Sequence, residues 1–592
     1  MCGIAGVMTR DGASPAKAVL DALEAALAHR GPDGRGRHVK GNVGLVQTRL
    51  AIIDLVTGDQ PIYAPNGVAL VANAEIYNYL ELRDALTGVP FRTKSDCEPP
   101  LHLYLRDGPE FAPYLRGMYA LAIHDPGRGR LVLARDPFGI KPLYYAETGL
   151  GFAFASEPQA LVAAGLVTPS VRVPAVAELL QLQFTTGAET IFAGVYRVLP
   201  GETLIVEQGR IVARLTRPAL PAGGPVERTA EAALHDLDRL LNDAVGVHQR
   251  SDVPYGMFLS GGIDSSVLLA MMARLNPRPV IAFTAGFPGT GAHDEREHAR
   301  AVAKAVGAEH VEVDVDAGDF WRLLPGIAAA VDDPAADYAV VPTYKLGQAA
   351  RAAGIKVVLS GEGGDELFAG YGRYRRAIRA RLFGGRPMRS VGTLHGLSVL
   401  RFEAKDWRAG IAAAEERSAT PERTGLQAAQ ATDCADWLPN DLLTKLDRCL
   451  MAHGVEGRVP FLDPLLADFA FRLPDRLKVR RGLGKWLLRR WLETGLPAAK
   501  PFARKRGFTV PVGEWIAARG RELGPLVARQ PGVAEACRPD AVERLFAAVA
   551  DHGGGDHAPA AWHLLFYALW HRRHVLGAEP AGDAFATLAA TV

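Results

Sequence analysis

The chain has 592 residues, several times the usual length of about 100–200 residues for one domain, so two or three hydrophobic cores are expected. Apolar residues make up 48% and charged residues 22%, and 67 basic against 65 acidic residues leave a formal charge of +2, which argues against a nucleic-acid or anionic-membrane partner. No uninterrupted apolar run of about 18 residues occurs, and the N-terminal segment has no basic stretch leading into an apolar run and a cleavage site, so a cytoplasmic protein without membrane spans is expected.

In chain order, short apolar runs at Val43–Val46, Ala69–Ala72, Leu131–Ala134 and Phe152–Ala155 alternate with Gly, Pro, Asp and Asn turns and predict mostly antiparallel sheet. The run from Arg217 to Pro225 carries three prolines and two glycines and predicts a linker, here bounded at 217–227 between a first domain of 2–216 and a second of 228–592. Beyond it, Ala233, Leu234, Leu237, Leu240, Leu241, Ala244 and Val245 fall at helical spacing. Strand candidates at Tyr255–Leu259, Val280–Thr284, Val311–Val315 and Lys356–Leu359 then alternate with helical patterns at Ser265–Leu275 and around Glu295–Val306, the signature of a parallel sheet of βαβ units. The last third reads as helical. Five cysteines (Cys2, Cys97, Cys434, Cys449, Cys537) form no CxxC or Cys/His cluster, and sixteen histidines include no HExxH pair, so neither a disulfide framework nor a zinc or iron site is expected.

Loss of Met1 would leave Cys2 at the chain start, where its own α-amine, with a pKa near 8, can take the thiol proton and make a nucleophile without a histidine. Around it stand Met1-Cys-Gly-Ile-Ala-Gly6, Arg30-Gly-Pro-Asp33, Arg49, Asn73-Ala-Glu-Ile-Tyr-Asn78 and Ser95-Asp-Cys-Glu98, an ordered set that resembles the glutaminase domain of class II glutamine amidotransferases, which are N-terminal nucleophile hydrolases. The resemblance implies an αββα sandwich of antiparallel sheets in which Cys2 forms a glutamyl thioester. Arg49 would meet the glutamine α-carboxylate, Glu75 and Asp96 would hold its α-ammonium, and Asn73 with the backbone N–H of Ala74 would supply the oxyanion hole. The family has glycine where this chain has Ala74, a change that strains the backbone only where φ is positive. Pro99-Pro100 is a second departure, tolerable at a helix start.

Tyr255-Gly-Met-Phe-Leu-Ser260-Gly-Gly-Ile-Asp-Ser-Ser266 is a strand, a glycine turn bearing hydroxyls and a helix start, an arrangement that aims backbone N–H groups at an anion. It is neither a Walker A nor a GxGxxG sequence. It is similar to the loop of ATP pyrophosphatases, which cleave between the α and β phosphates. A second glycine turn, Ser360-Gly-Glu-Gly-Gly-Asp365-Glu, also ends a strand, so both can face one nucleotide from the carboxyl edge of a parallel sheet. Asp264 and Asp365 are then the expected Mg²⁺ ligands. The runs Asp447 to Asp463, Gly484-Lys485-Trp-Leu-Leu-Arg-Arg490 and Arg504-Lys-Arg-Gly-Phe508, with Pro511 and Trp515, resemble the synthetase domain of asparagine synthetases. That resemblance implies an α/β ATP-pyrophosphatase domain with a helical C-terminal part. It places Lys485 on the pyrophosphate and Glu362 beside an acyl-adenylate. Leu259, Ser260, Gly261, Gly262, Asp264, Ser265, Ser266, Ala285, Ser360 and Gly361 would line the ATP site. The basic run Arg373, Arg375, Arg376, Arg379, Arg381 reads as a solvated helix face or phosphate-facing rim rather than an RNA surface.

Together the two resemblances imply a ligase whose substrates are glutamine, aspartate and ATP with Mg²⁺, and in which ammonia passes through a shielded passage between two sites. Spacing alone leaves open whether the acceptor is aspartate or another carboxylate, which side chains hold it, the role of the last 70 or so residues, and whether the chain forms a homodimer.

Overall fold

The structure is a computed structural model and describes residues 2–379, 382, 384–503 and 509–591. The basic run from Arg504 to Phe508, and Arg381, lie outside the described residues.

In the N-terminal part the strands run β1 (Gly3–Thr9), β2 (Gly34–Lys40), β3 (Val43–Arg49), β4 (Ile62–Tyr63), β5 (Ala69–Ile76), β6 (Gly117–Asp125), β7 (Arg130–Arg135), β8 (Tyr144–Glu147), β9 (Gly151–Ala155), β10 (Tyr196–Arg197), β11 (Glu202–Glu207) and β12 (Arg210–Thr216). They form two six-stranded sheets with orders β10-β8-β9-β1-β3-β2 and β12-β11-β7-β6-β5-β4, antiparallel throughout. Ile4, Met8, Leu45, Val71, Ala122, Leu133 and Phe154 fill the space between the sheets. The opposite faces are covered by helices: Leu20, Leu23 and Leu27 pack on Ala5, Val7 and Val46, and Leu101 and Tyr104 pack with Leu70, Ala72, Ala74 and Ile76. The result is the four-layer αββα sandwich that the resemblance implied, with the expected apolar runs lying in β3, β5, β7 and β9.

No helix or strand lies between Thr216 and Ala230. The chain then enters the helix Ala230–His248 and a parallel sheet of β13 (Tyr255–Phe258), β14 (Ile281–Gly286), β15 (Glu309–Asp314), β16 (Val357–Leu359) and β17 (Glu456–Arg458). Their order, β15-β14-β13-β16-β17, reverses direction between β13 and β16. Ligands in open parallel sheets collect at such a reversal, beyond the carboxyl ends of the strands. Both glycine turns leave from there. β17 was not expected from sequence, because Glu456-Gly-Arg458 is three residues of charged and flexible types; it is buried because it pairs with β16 in the interior.

The C-terminal part is helical, and one of its helices braces both halves. Ala558–His574 is buried around nearly its whole circumference, as expected of a core helix. Trp562 Nε1 donates to the Ala336 carbonyl at 2.6 Å and Trp570 Nε1 to the Asp332 carbonyl at 3.0 Å, while a ring nitrogen of His563 meets the Leu180 carbonyl at 3.0 Å. No helix among the described residues is long and apolar enough to cross a membrane.

Candidate active sites

Strand parity assembles the first site. Alternate residues of a strand share a face, so Cys2 just ahead of β1, Gln47 and Arg49 of β3, and Asn73 and Glu75 of β5 follow Ile4, Leu45 and Val71 into the space between the sheets. Cys2 N–H donates to Asn73 Oδ1 at 3.0 Å, and Arg30 Nε donates to the Cys2 carbonyl at 3.2 Å. Because Asn73 uses its oxygen on Cys2, its Nδ2 remains a buried donor without a partner, which is the atom an oxyanion would require. A Cβ on Gly3 would stand 2.7 Å from Thr48 Oγ1 and 2.9 Å from Leu27 Cβ, so only glycine allows this approach. Burial raises the Cys2 thiol above its usual range, partly offset by nearby positive charge and a hydrogen bond from the Leu50 backbone, so thiolate formation needs a base.

Ala74 is unstrained. It lies in extended β5 opposite Tyr119, it is absent from the residues of positive φ, and its methyl packs with Ala72 and Ile76 on the face away from Cys2. Its neighbours Ala72 and Ile76 send their N–H groups off the free edge of β5, to Gln60 Oε1 at 2.6 Å and Asp96 Oδ2 at 2.7 Å. By strand parity the Ala74 N–H lies on that same edge, between them. The family glycine is therefore dispensable here.

The groups expected to hold the amino-acid end of glutamine are present, with added engagements. Arg49 is anchored by Nη2 on the Asp54 carbonyl at 2.5 Å and by Nη1 on Asp59 Oδ1 at 2.8 Å; Asp59 is 81% exposed, so a ligand carboxylate can replace it. Glu75 meets Arg458 Nη2 at 2.8 Å, and its carboxyl is raised well above the usual range, by burial first and with Arg458 opposing. Asp96 is buried and pushed up to about 6 by that burial, although its Oδ2 accepts the Ile76 N–H.

That shift sets a trade between binding and stability. A carboxyl whose pKa is raised on folding contributes stability below its unfolded value, and loses it as pH rises through about 6. Asp96→Asn keeps an acceptor for Ile76 but has no charge to bury. It is expected to raise the thermal midpoint at pH 8 by an amount corresponding to at most about 3 kcal/mol, with the advantage shrinking towards pH 4, and to raise the KM for glutamine roughly 100-fold. Scanning calorimetry across pH with glutaminase kinetics tests both; a lower midpoint at pH 8 would contradict the burial argument.

The second site lies at the sheet reversal. Ser265 Oγ donates to the Ser260 carbonyl at 2.8 Å, Ser266 Oγ donates to the Gly262 carbonyl at 2.8 Å, and Gly262 N–H donates to Ser260 Oγ at 3.2 Å, closing the first turn against the helix Ile263–Leu275. Leu259 N–H donates to the Phe283 carbonyl at 2.9 Å and Thr284 Oγ1 to the Leu259 carbonyl at 2.6 Å, setting Leu259 beside the strand end that carries Ala285. Lys485 is buried between the two turns, its Nζ bonded to Asp264 and standing 2.7 Å from Asp365 Oδ1. Burial disfavours its charge, but the two carboxylates outweigh that and raise its pKa. Lys485 takes a left-handed φ of 58° ahead of the helix Trp486–Gly495, and its N–H donates to the Phe368 carbonyl at 2.9 Å. A Cβ at Gly370 would run into Asp365 Oδ1 and Lys485 Cε, which explains the glycine there. Ser360 Oγ donates to Glu362, holding that carboxylate at the mouth of the second turn.

Two residues that sequence reasoning quoted without assigning a role join the sites. Arg458 reaches Glu75 of the first site with its side chain, while its carbonyl accepts the Ser360 N–H at 2.8 Å at the start of the second turn. Arg30 holds the Cys2 carbonyl and at the same time forks onto Asp447, at 2.8 and 3.1 Å, and onto Glu157 at 2.6 Å. Arg30, Glu157 and Asp447 are buried and mutually satisfied, so removing one partner would strand another. Their only sequence signal was membership of the motif runs Arg30-Gly-Pro-Asp33 and Asp447 to Asp463.

Comparison with known proteins agrees with this arrangement. The asparagine synthase family matches residues 236–572 and the glutamine amidotransferase domain family matches residues 1–216. A relative from Mycobacterium tuberculosis (strain ATCC 25618 / H37Rv) is 36% identical, the match covering 96% of this chain and 97% of that protein. Asparagine synthetase (glutamine-hydrolyzing) 1 of Bacillus subtilis (strain 168) is 31% identical with 96% of each chain covered, and asparagine synthetase B (glutamine-hydrolyzing) of Escherichia coli (strain K12) is 30% identical over 87% of this chain and 83% of its own. With a thiol site between antiparallel sheets, a nucleotide cradle on a parallel sheet and full-length relatives of this kind, the chain belongs to the asparagine synthase family.

Proposed function

We propose that the chain makes L-asparagine from L-aspartate, taking nitrogen from glutamine: ATP, L-aspartate, L-glutamine and water give AMP, pyrophosphate, L-asparagine and L-glutamate. The observation that supports this reading is Arg458, whose side chain meets Glu75 and whose carbonyl accepts the Ser360 N–H, so that one buried residue links the two proposed pockets. Ammonia in bulk water at neutral pH is mostly ammonium, so a buried passage keeps it nucleophilic.

In the first site, with Met1 removed, the α-amine of Cys2 takes the thiol proton. The sulfur attacks the glutamine amide carbon, and the oxyanion is met by Asn73 Nδ2 and the Ala74 N–H. Arg49 binds the α-carboxylate, and Asp96 with Glu75 binds the α-ammonium. Ammonia leaves, and water hydrolyses the thioester to glutamate. In the second site the turn from Ser260 to Ser266 cradles ATP, with Leu259, Ala285, Ser360 and Gly361 along the nucleoside. The aspartate β-carboxylate displaces pyrophosphate from the α-phosphorus, and Lys485 follows the departing charge. Glu362 takes a proton from the ammonia that attacks the acyl-adenylate, and AMP leaves.

Asp264 and Asp365 fit Mg²⁺: they are hard oxygen donors converging on a single cation, Lys485 Nζ, and among the described residues no cluster of three or more acidic, His or Cys ligands offers an all-protein cage. When bound, the ion would neutralise phosphate charge beside the lysine. Incubation with ATP, aspartate and amide-labelled glutamine is expected to put the label into the asparagine carboxamide with one AMP per asparagine. Absence of label from every carboxamide, whichever acid is supplied, would refute the reading.

A further inference from the structure

We propose that Arg389, Trp437 and Asp441 form the subsite that grips the α-carboxylate and α-ammonium groups of the acceptor amino acid. This deepens the function proposed above and rests on it.

Buried polar atoms are almost always paired, so a cluster of unpaired ones marks a place where something else supplies the partners. Five such atoms gather here. Arg389 Nε and Nη2, Trp437 Nε1, Tyr374 Oη and Asp441 Oδ1 are all buried without a partner. The two Arg389 nitrogens make up one edge of its guanidinium, the edge that receives a carboxylate in a fork. The guanidinium lies over Trp437, its carbon 3.6 Å from that ring's centre and 5.5 Å from the centre of Phe184, and Phe184 in turn meets Trp437 edge-on. The cation is therefore preorganised by stacking rather than by an ion pair, and its forked edge stays open. Its neighbour Arg373 differs: stacked on Tyr371 at 3.7 Å, it is already paired with Asp433 at 2.6 Å.

Asp441, whose carboxyl burial pushes up to about 8, supplies the acid that an arriving ammonium would draw into its charged form. Its Oδ2 accepts from Gln183 Nε2 at 2.8 Å, which fixes the carboxyl and leaves Oδ1 free to accept from an ammonium. Trp437, Asp441 and Lys445 follow one another at four-residue spacing along a wide-turned helical segment, Asp433–Leu443, and the α-helix that continues it, Thr444–Met451. Helical segments of that wide pitch concentrate at functional sites. The face runs towards the nucleotide: Lys445 pairs with Asp337 at 2.8 Å and feels the charge of Glu362 at the second glycine turn. From Trp437 to Lys445 is roughly 10 Å of helix, room for a short amino diacid held by its head at one end and activated through its side-chain carboxylate at the other. Opposite charges at the head end, with a forked cation and a fixed carboxylate, select an α-amino acid over a plain dicarboxylate.

The test is pyrophosphate release by the full chain with ATP and ammonium chloride, measured against aspartate, glutamate and succinate, for the wild type and for Arg389→Gln, Arg389→Lys and Asp441→Asn. Glutaminase activity monitors folding. Wild type is expected to prefer aspartate to succinate strongly. Arg389→Gln should raise the KM for aspartate roughly 50-fold with little change in the KM for ATP, and Arg389→Lys should recover part of that loss. Asp441→Asn should shrink the preference for aspartate over succinate at least tenfold, a change that a purely structural role would not produce. An unchanged KM for aspartate in both Arg389 variants, or an unchanged acceptor preference in Asp441→Asn, overturns the assignment. If wild type uses an α-amino acid other than aspartate, the function proposed above fails while the subsite is tested with that acceptor; if it uses only acids without an α-amino group, both fail.

Discussion

Cys2→Ala is expected to lower glutamine-dependent amidation at least about 10⁴-fold while leaving synthesis from ammonium salts within a few-fold of wild type. Selectivity of this kind follows from which atoms of Cys2 the structure uses. The backbone N–H bonds Asn73 and the carbonyl bonds Arg30, which in turn forks onto Asp447 in the second half of the chain. Alanine retains both, and its Cβ fits wherever that of cysteine did, so the buried ion network joining the sites survives. Only the sulfur goes. The measurement is asparagine formed with glutamine and, separately, with ammonium chloride at saturating ATP and aspartate. Equal loss with both nitrogen sources would mean that the sulfur supports the second site structurally and that the division of labour is wrong.

Lys485→Ala should act in the opposite sense, suppressing aspartate-dependent pyrophosphate release about 10³-fold or more and leaving most of the glutaminase rate. Lys485 Nζ is the cation between Asp264 and Asp365, and without it two carboxylates are left converging on the place where phosphate must bind. The loss therefore has two parts: missing stabilisation of the departing pyrophosphate, and new repulsion against its approach. A left-handed φ at this position adds about 1 kcal/mol of backbone cost that lysine and alanine share, so it cancels in the comparison. Lys485→Arg tests geometry apart from charge, since a planar guanidinium cannot sit between the two carboxylates as a point charge does. Normal pyrophosphate release in Lys485→Ala would remove the lysine from the chemistry.

How far function can be read from a chain depends on the range of the interaction that creates it. The two glycine turns are local signatures, each carrying its chemistry in a few consecutive residues, whereas Cys2, Arg49, Asn73, Glu75 and Asp96 are legible only jointly, as an ordered set that resembles a known family. The alternation of apolar runs with turn residues likewise announces antiparallel sheet before residue 217 and βαβ units after it. Ala74 shows the limit of such reading, since whether this departure from the family pattern strains the backbone depends on a φ that only the structure gives; that φ is not positive, and the methyl packs in the core behind β5. The short β17 shows another, because nothing in Glu456-Gly-Arg458 favours a strand apart from its neighbour β16.

The amino-acid sequence by itself determined the order of the two sheet systems, because that follows from local periodicity, while the expected reacting groups and substrates rested on motif runs that resemble known families. Only the tertiary structure decided that Arg458 touches both sites, that Lys485 is clamped by carboxylates 221 and 120 residues away in the chain, and that Arg389 lies unpaired across from Asp441. Such contacts close loops of tens to hundreds of residues, and their existence depends on how whole layers pack and on which charges burial obliges to find partners.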